Sequence, residues 1–585
     1  MSVELNAGTR GAQRPVQIPA VALRPADEMM RLARLGSLHP TRISFVRTLV
    51  RRMARERWRI SCDAFELDDE GYGTAVYSVS TPAGRLSFVA FSDYLDAEDR
   101  TDRVIATRWD AAFVLTTAEP DAATLRRLRA NAPRQEAGRY RASELVLSRA
   151  NKSVRMFDYV AQTLASGRQP DPRELVKVGY LVRTTAVYGN GKFGLADFEH
   201  VVRGGIFRLP FQAEMLTVYL ARHFSLELVQ HIARRRSPRD AVALDPGLGR
   251  GLGVGNATGL GMAPFLATHP KLIHQWIYAR ELGLARVRAM DHAEPERLRR
   301  LDTLLRRALA HLAQWSTADA RQSRRIAILR SELAGFREAC FEAEPSLLPA
   351  RAPWDFAVRW AQVHASPETQ ELLNSLLLEL YPELVDELEN HTGSDESEDV
   401  VAHMPLRELK SLLEQAYDWA VHTDFGAPEA QHFFWYWSAE KLEPRLGVRA
   451  REPGADREMR IDVAREVAQL YRVLAGLDGA EPERSVAEFL LAYPQWRRIV
   501  RRVQTLAGYP YAEIRDNILA RDCLPIDLLR CKLSVFGAAK FDPRSDRWTR
   551  ITLFQGAPLA DELTVRDPDD WCFPVMPGAL GETSG

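Results

Sequence analysis

From Pro270 to Asn390 apolar residues recur three and four positions apart almost without a break, through KLIHQWIYARELGLARVRAM, EPERLRRLDTLLRRALAHLAQW, RQSRRIAILRSELAGFREACFEA and TQELLNSLLLELYPELVDELEN. That period gives each helix one apolar stripe, and stripes of this length are buried only by packing helix on helix. Much of the chain is therefore committed to a helical bundle. The N-terminal part follows another rule: WRISCDAFEL, GYGTAVYSVS and GRLSFVAFSDYL read as strands separated by the turn formers DDEGYG and TPAG, which predicts an antiparallel meander. RVIATRW and AAFVLTT add one or two strands, with Trp109 and Asp110 at their junction, before DAATLRRLRA returns to helix.

These patterns predict an α+β protein that is predominantly helical, with a small N-terminal antiparallel sheet unit, a glycine-rich central segment and a large C-terminal helical region. The expected division is a polar arm over 1–24, an α+β unit over 25–140, a central segment over 141–265 that opens on a helix at 143–166, a helical bundle over 266–390, an acidic linker over 391–402, and a helical domain over 403–585. The last closes on a hairpin from LLRCKLSVFGAAKF and RWTRITLFQGAPL. No segment recurs with a fixed period, which argues against a solenoid.

Charge narrows the function classes. The chain carries 78 basic and 78 acidic residues, so no global field holds it on nucleic acid or an anionic bilayer. No stretch approaches the roughly 18 to 20 apolar residues of a spanning helix. Five scattered cysteines and no signal-like N-terminus point to a reducing cytoplasm. Locally the charges are uneven. Arg42, Arg47, Arg51, Arg52, Arg55, Arg57 and Arg59 face only Glu56 as an acid, and read as a solvated arginine face or a phosphate-attracting one. Between Glu371 and Val400 ten acidic residues occur with no Lys or Arg, which reads as a solvated connection.

The strongest local anomaly is PGLGRGLGVGNATGLGMAPF, where seven of the sixteen positions from Pro246 to Gly261 are glycine. Such a loop lets backbone N–H groups converge on a ligand. GNATGLG shares the GxxxGxG spacing of short-chain dehydrogenase nucleotide loops, but the long run of helices behind it and the missing YxxxK pair argue against that family. The amides of Gly255, Gly259 and Gly261, with Asn256, Thr258 and Arg250, favour a phosphate or carboxylate, and His269 stands at the start of the next helix. A glycine-rich crossover between domains is the structural alternative.

RTTAVYGNGKFG brings Arg183, Tyr188, Asn190 and Lys192, one of only eight lysines, into one hairpin-like turn. Together the two segments form a candidate cleft in which the loop amides and Arg183 hold an anion and Lys192, Tyr188 or His269 transfers a proton. A third set, Asp418, His422, Asp424 and His432, supplies the ligand types of a non-haem iron site, with capping and salt-bridging as the structural alternative. The aromatic run Phe433–Trp437 reads as part of a buried helix. No GxSxG, P-loop, HExxH or EF-hand motif is present.

The expectation is a soluble enzyme that binds a small anionic substrate or cofactor. The alternatives are a metal-dependent enzyme at the helical His/Asp set and a non-enzymatic helical scaffold. Cofactor identity and homo-oligomerisation stay open.

Overall fold

The computed structural model describes residues 21–96, 98, 108–133, 141–184, 205–259, 269–315, 317, 319–393, 400–424, 434–438, 443–447, 455–458, 463–477, 482–515, 525–538, 540–543, 548–569 and 571. Strands β1 (Arg59–Leu67), β2 (Gly73–Thr81), β3 (Gly84–Ser92), β4 (Ala111–Thr116) and β5 (Glu144–Lys152) run as an antiparallel meander. Strand β6 (Tyr180–Thr184) continues it antiparallel to β5, and β7 (Gly253–Gly259) then pairs parallel to β6. Beyond a three-stranded sheet of β8 (Phe434–Ser438), β9 (Glu443–Gly447) and β10 (Ala455–Glu458), the hairpin β11 (Lys540–Pro543) and β12 (Trp548–Leu553) closes the first sheet. Its order is β1-β2-β3-β4-β5-β6-β7-β12-β11.

The meander forms where the residue pattern puts it, but of the expected C-terminal hairpin only the second run is a strand as read: Leu528–Phe536 of the first run lie in a helix, and only its last two residues, Lys540 and Phe541, enter β11. The sheet is larger than the expected N-terminal unit, because β7 has a second open edge and β12 fills it with the register Val254↔Leu553 to Gly259↔Trp548. Helices predominate elsewhere, as the spacing predicts. Helix α1 (Phe45–Arg55) and helix α2 (Gln212–Arg236), which crosses over from β6 to β7, are both deeply buried. On the sheet face Phe224 of α2 meets Phe113 edge-on at 6.0 Å, and His223 meets Tyr77 at 5.4 Å. Helices α3 (Pro270–Arg288), α4 (Pro295–Gln314), α5 (Ala320–Phe341), α6 (Pro353–His364) and α7 (Pro367–Leu378) share one apolar core with the sheet. A second core gathers Leu409 and Leu413 of α8 (Leu406–Ala416), Val467 and Leu470 of α9 (Val463–Leu477), and Val500 and Val503 of α10 (Arg497–Leu506). Helix α11 (Pro525–Phe536) returns to the first core, where Phe536 packs edge-on to Phe45 and Phe211. No helix of the described residues is long and apolar enough to cross a membrane.

Two local readings change. The expected helix at 143–166 is strand β5 followed by a shorter helix, Met156–Ala165. ELVLSRANK fits either period, and the free edge of β4 decides it. Residues 434–437 of the aromatic run are in strand β8 and not in a helix, in line with the strand preference of Phe, Trp and Tyr, and Phe433 lies outside the described residues.

The arginine face is the larger correction. Arg42, Arg47, Arg51 and Arg52 are buried, and three of them face the acidic stretch that composition assigns to solvent. Arg42 Nε and Nη2 donate to the two Asp386 oxygens at 2.8 Å each, and Arg51 Nη2 donates to Glu389 at 3.0 Å. Asp569, near the C-terminus, accepts from Arg42 at 2.7 Å and Arg47 at 2.9 Å. A neighbouring cluster joins Arg24, Arg34 and Arg280 to Glu281 and Glu371. Ions this deep persist only when paired and hydrogen-bonded. Burial opposes charge on Glu371, yet Arg24 and Arg280 hold its carboxyl well below the usual range. Arg55, Arg57 and Arg59 alone keep the exposed character expected of the whole face.

Candidate functional site

Because β6 and β7 are parallel neighbours with Arg183 in register with Gly255, both strands point the same way and the end of β6 lies beside the middle of β7. The segment RTTAVYGNGKFG starts at Arg183, at the end of β6, whereas the glycine-rich segment starts at Pro246, before β7, and includes the whole of that strand. The centre of the sheet beside them is polar. Asn151 of β5 pairs across the strands with Arg183 of β6, and both are buried. Asn151 Oδ1 accepts the N–H of Asp110 at 3.0 Å, and Asp110 Oδ2 accepts the N–H of Lys152 at 2.9 Å. One rung along, the hydroxyls of Ser148 and Thr184 lie 2.7 Å apart. Arg183 thus stands one residue from the end of β6 on the sheet face it shares with Asn151, while Ser148 and Thr184 belong to the opposite face. A charge held so firmly on a strand is suited to orienting an anion.

The glycine-rich segment is not the loop that its composition suggests. Pro246–Arg250 form a helical turn capped by Asp245, whose carboxylate accepts the Leu248 N–H at 3.1 Å, and 253–259 are strand β7. Two of its glycines answer to packing. A Cβ on Gly253 would lie 2.2 Å from the Leu553 carbonyl oxygen, and one on Gly255 would lie 2.5 Å from the Tyr180 ring. Gly255, Asn256, Thr258 and Gly259 are register partners of β12, so their amides belong to a ladder before they belong to a ligand.

Arg250 does not join this end of the sheet. It precedes β7 while Gly259 closes it, and six residue steps of strand separate the two ends by about 20 Å. Its guanidinium pairs with Glu562 instead. His269 sits at the N-cap of α3 and makes no side-chain capping bond. Tyr188, Asn190, Lys192 and Gly261 lie outside the described residues.

Asp418 and His422 make an exposed local pair, with Asp418 Oδ1 2.9 Å from His422 Nδ1. Asp424 is described and exposed, and His432 lies outside the described residues. Among the described residues no three His, Cys, Asp or Glu side chains are grouped to hold a metal ion.

Sequence reasoning missed two buried centres. Arg222 of α2 donates to five carbonyl oxygens, those of Gly249, Arg250, Leu252, Ala557 and Pro558, and so ties the turn before β7 to the chain after β12. Burial lowers its pKa to about 10. Lys152 of β5 lies between the rings of Tyr72 at 5.3 Å and Phe157 at 5.2 Å. The scarcity of lysine was a signal for Lys152, whereas nothing local marks Arg222.

No protein-family model matches this chain, and no curated protein and no solved structure shows significant similarity to it.

Proposed function

We propose that the protein is an α+β enzyme that binds a small phosphate- or carboxylate-bearing molecule at the C-terminal ends of β6 and β7. The observation that carries this reading is the parallel pairing of those two strands beside the buried Arg183. Ligands of open sheets with parallel strands gather at that end, because loops from neighbouring strands converge there; the parallel is one of architecture and not of ancestry. In this reading Arg183, Asn190, Asn256, Thr258 and Gly261 hold the anion, Gly255 and Gly259 being held in the strand ladder, and Lys192, Tyr188 or His269 transfers a proton. Arg250 has no part in it. The free thiols of Cys62, Cys340 and Cys531 suit a cytoplasmic setting.

The test is ligand-induced stabilisation. Pyrophosphate or citrate should raise the melting temperature of the purified chain, and Lys192→Ala should remove that rise while leaving the ligand-free melting temperature unchanged. Native mass spectrometry of the freshly purified protein should show a retained small molecule. If no anion stabilises the chain and its mass is that of bare polypeptide, the helical scaffold reading replaces the enzyme.

A further inference from the structure

The nine-stranded sheet has two edges, and they differ. Strand β11 is four residues long and ends on Pro543, so it offers little to a further strand. Strand β1 is nine residues long, and Leu67 alone of these is buried. Among the described residues no backbone hydrogen bond reaches its outer side. An edge of this length is a template for another strand unless something guards it.

Charges and a bulge are the usual guards, and β1 has both, but they are arranged self-complementarily. The partners on β2 show which residues share a face. Ile60, Cys62 and Phe65 lie opposite Val79, Tyr77 and Ala75 and project towards α2, where Phe65 meets the His231 ring at 5.4 Å. Arg59, Ser61, Ala64 and Glu66 lie opposite Ser80, Ser78, Val76 and Thr74 and project from the other face. In an unbroken strand Ile60 and Phe65 would take opposite faces, as would Arg59 and Glu66, because each pair is an odd number of residues apart. The extra residue at the bulge between Cys62 and Ala64 brings each pair onto one face. A second β1, turned antiparallel about a two-fold axis between Cys62 and Asp63, therefore sets Arg59 opposite Glu66 of the second copy, Ile60 opposite Phe65 and Ser61 opposite Ala64, with faces matched. Arg59 and Glu66 are exposed and have no ion-pair partner among the described residues, and Ile60 and Phe65 are half-buried. Opposite charges and an aromatic ring against a β-branched side chain are favourable cross-strand pairs.

We propose that β1 is a dimerisation edge, at which two copies of this chain pair their β1 strands antiparallel and join their sheets into one. The interface is isologous, so each Arg59–Glu66 and Ile60–Phe65 pair occurs twice. None of these residues belongs to the site at β6 and β7, so either proposal can fail alone. Sedimentation velocity of the full chain over a concentration series is the test, and wild type should dimerise reversibly. Glu66→Arg sets arginine against arginine in both halves and should raise the dimer dissociation constant about tenfold, as should Arg59→Glu. The double variant Arg59→Glu, Glu66→Arg exchanges the charges and should return the constant to within about threefold of wild type. Both side chains are exposed, so the variants should fold, which circular dichroism checks. A wild type that stays monomeric throughout the series overturns the proposal. A dimer that tolerates the single reversals, or that the double variant fails to restore, overturns it as well, because the chains then meet elsewhere.

Discussion

Arg47 Nη1 donates to Glu379 Oε1 at 2.9 Å between two buried side chains 332 positions apart in the chain. Arg42 reaches the same carboxylate at 3.2 Å, so one glutamate serves two arginines, Arg47 in α1 and Arg42 just before it. Removing it leaves two buried guanidinium groups with less counter-charge. Glu379→Ala should cost roughly 3–5 kcal/mol in urea unfolding. A loss below about 1 kcal/mol, the value of an exposed pair, would refute the buried network.

Gly255 is required by the Tyr180 ring in this structure, whatever it does for a ligand. Gly255→Ala should destabilise the sheet by about 1–3 kcal/mol. Trimming the ring with Tyr180→Ala in the same chain should make the two losses less than additive. If Gly255→Ala left stability intact and removed anion-induced stabilisation, the glycine would serve the ligand instead.

Acid should weaken the fold in two windows. His274 accepts the Tyr511 N–H on Nδ1 at 3.1 Å, and burial lowers its pKa from 6.5 to about 4. The unfolded chain takes up that proton first, so the stability contributed by neutral His274 is complete above pH 6.5 and is lost as pH falls towards 4. Glu368 supplies the lower window. Burial opposes its charge, but Arg530 and His39 outweigh this and bring its pKa from 4.5 to about 2. Its contribution, on the order of 3 kcal/mol, is complete above pH 4.5 and lost as pH falls through about 2. Unfolding free energies measured from pH 7 to 2 should show both declines, and His274→Gln should reduce only the upper one, to which His39 and His223, also lowered by burial, contribute.

Thiol labelling should separate the cysteines. Burial raises the Cys340 and Cys531 thiols to about 12, while Cys62 is exposed. In the native protein at pH 8, a maleimide should modify Cys62 and spare Cys340 and Cys531, with denaturant releasing both. Native-state labelling of Cys531 would contradict the packing of α11.

Arg222→Lys should behave as a damaging change despite the conserved charge. A lysine has three donors and no planar fork, so at most three of the five carbonyl oxygens keep a partner. A loss of about 2–4 kcal/mol is expected in thermal or urea unfolding.

The sequence by itself determined what depends on neighbours along the chain. The three-and-four spacing placed α3, α4, α5 and α7, alternation and turn residues placed β1 to β4, and β12 was legible in RWTRITLFQGAPL, whereas LLRCKLSVF, read as the other arm of a hairpin, belongs to helix α11. Tertiary structure decided whatever depends on a distant partner. An arginine-rich helix and an acidic stretch each read as solvated because the ions that neutralise them lie over 300 residues away. Seven glycines read as a loop because the Tyr180 ring and the Leu553 carbonyl that exclude a Cβ belong to other strands. Of the candidate site, Arg183 and the closeness of the two segments could be suspected, but strand direction alone set them side by side and put Arg250 at the far end of β7. Local propensity selects elements within a few residues, whereas charge compensation, close approach and strand order are settled only when remote parts of the chain are brought into contact.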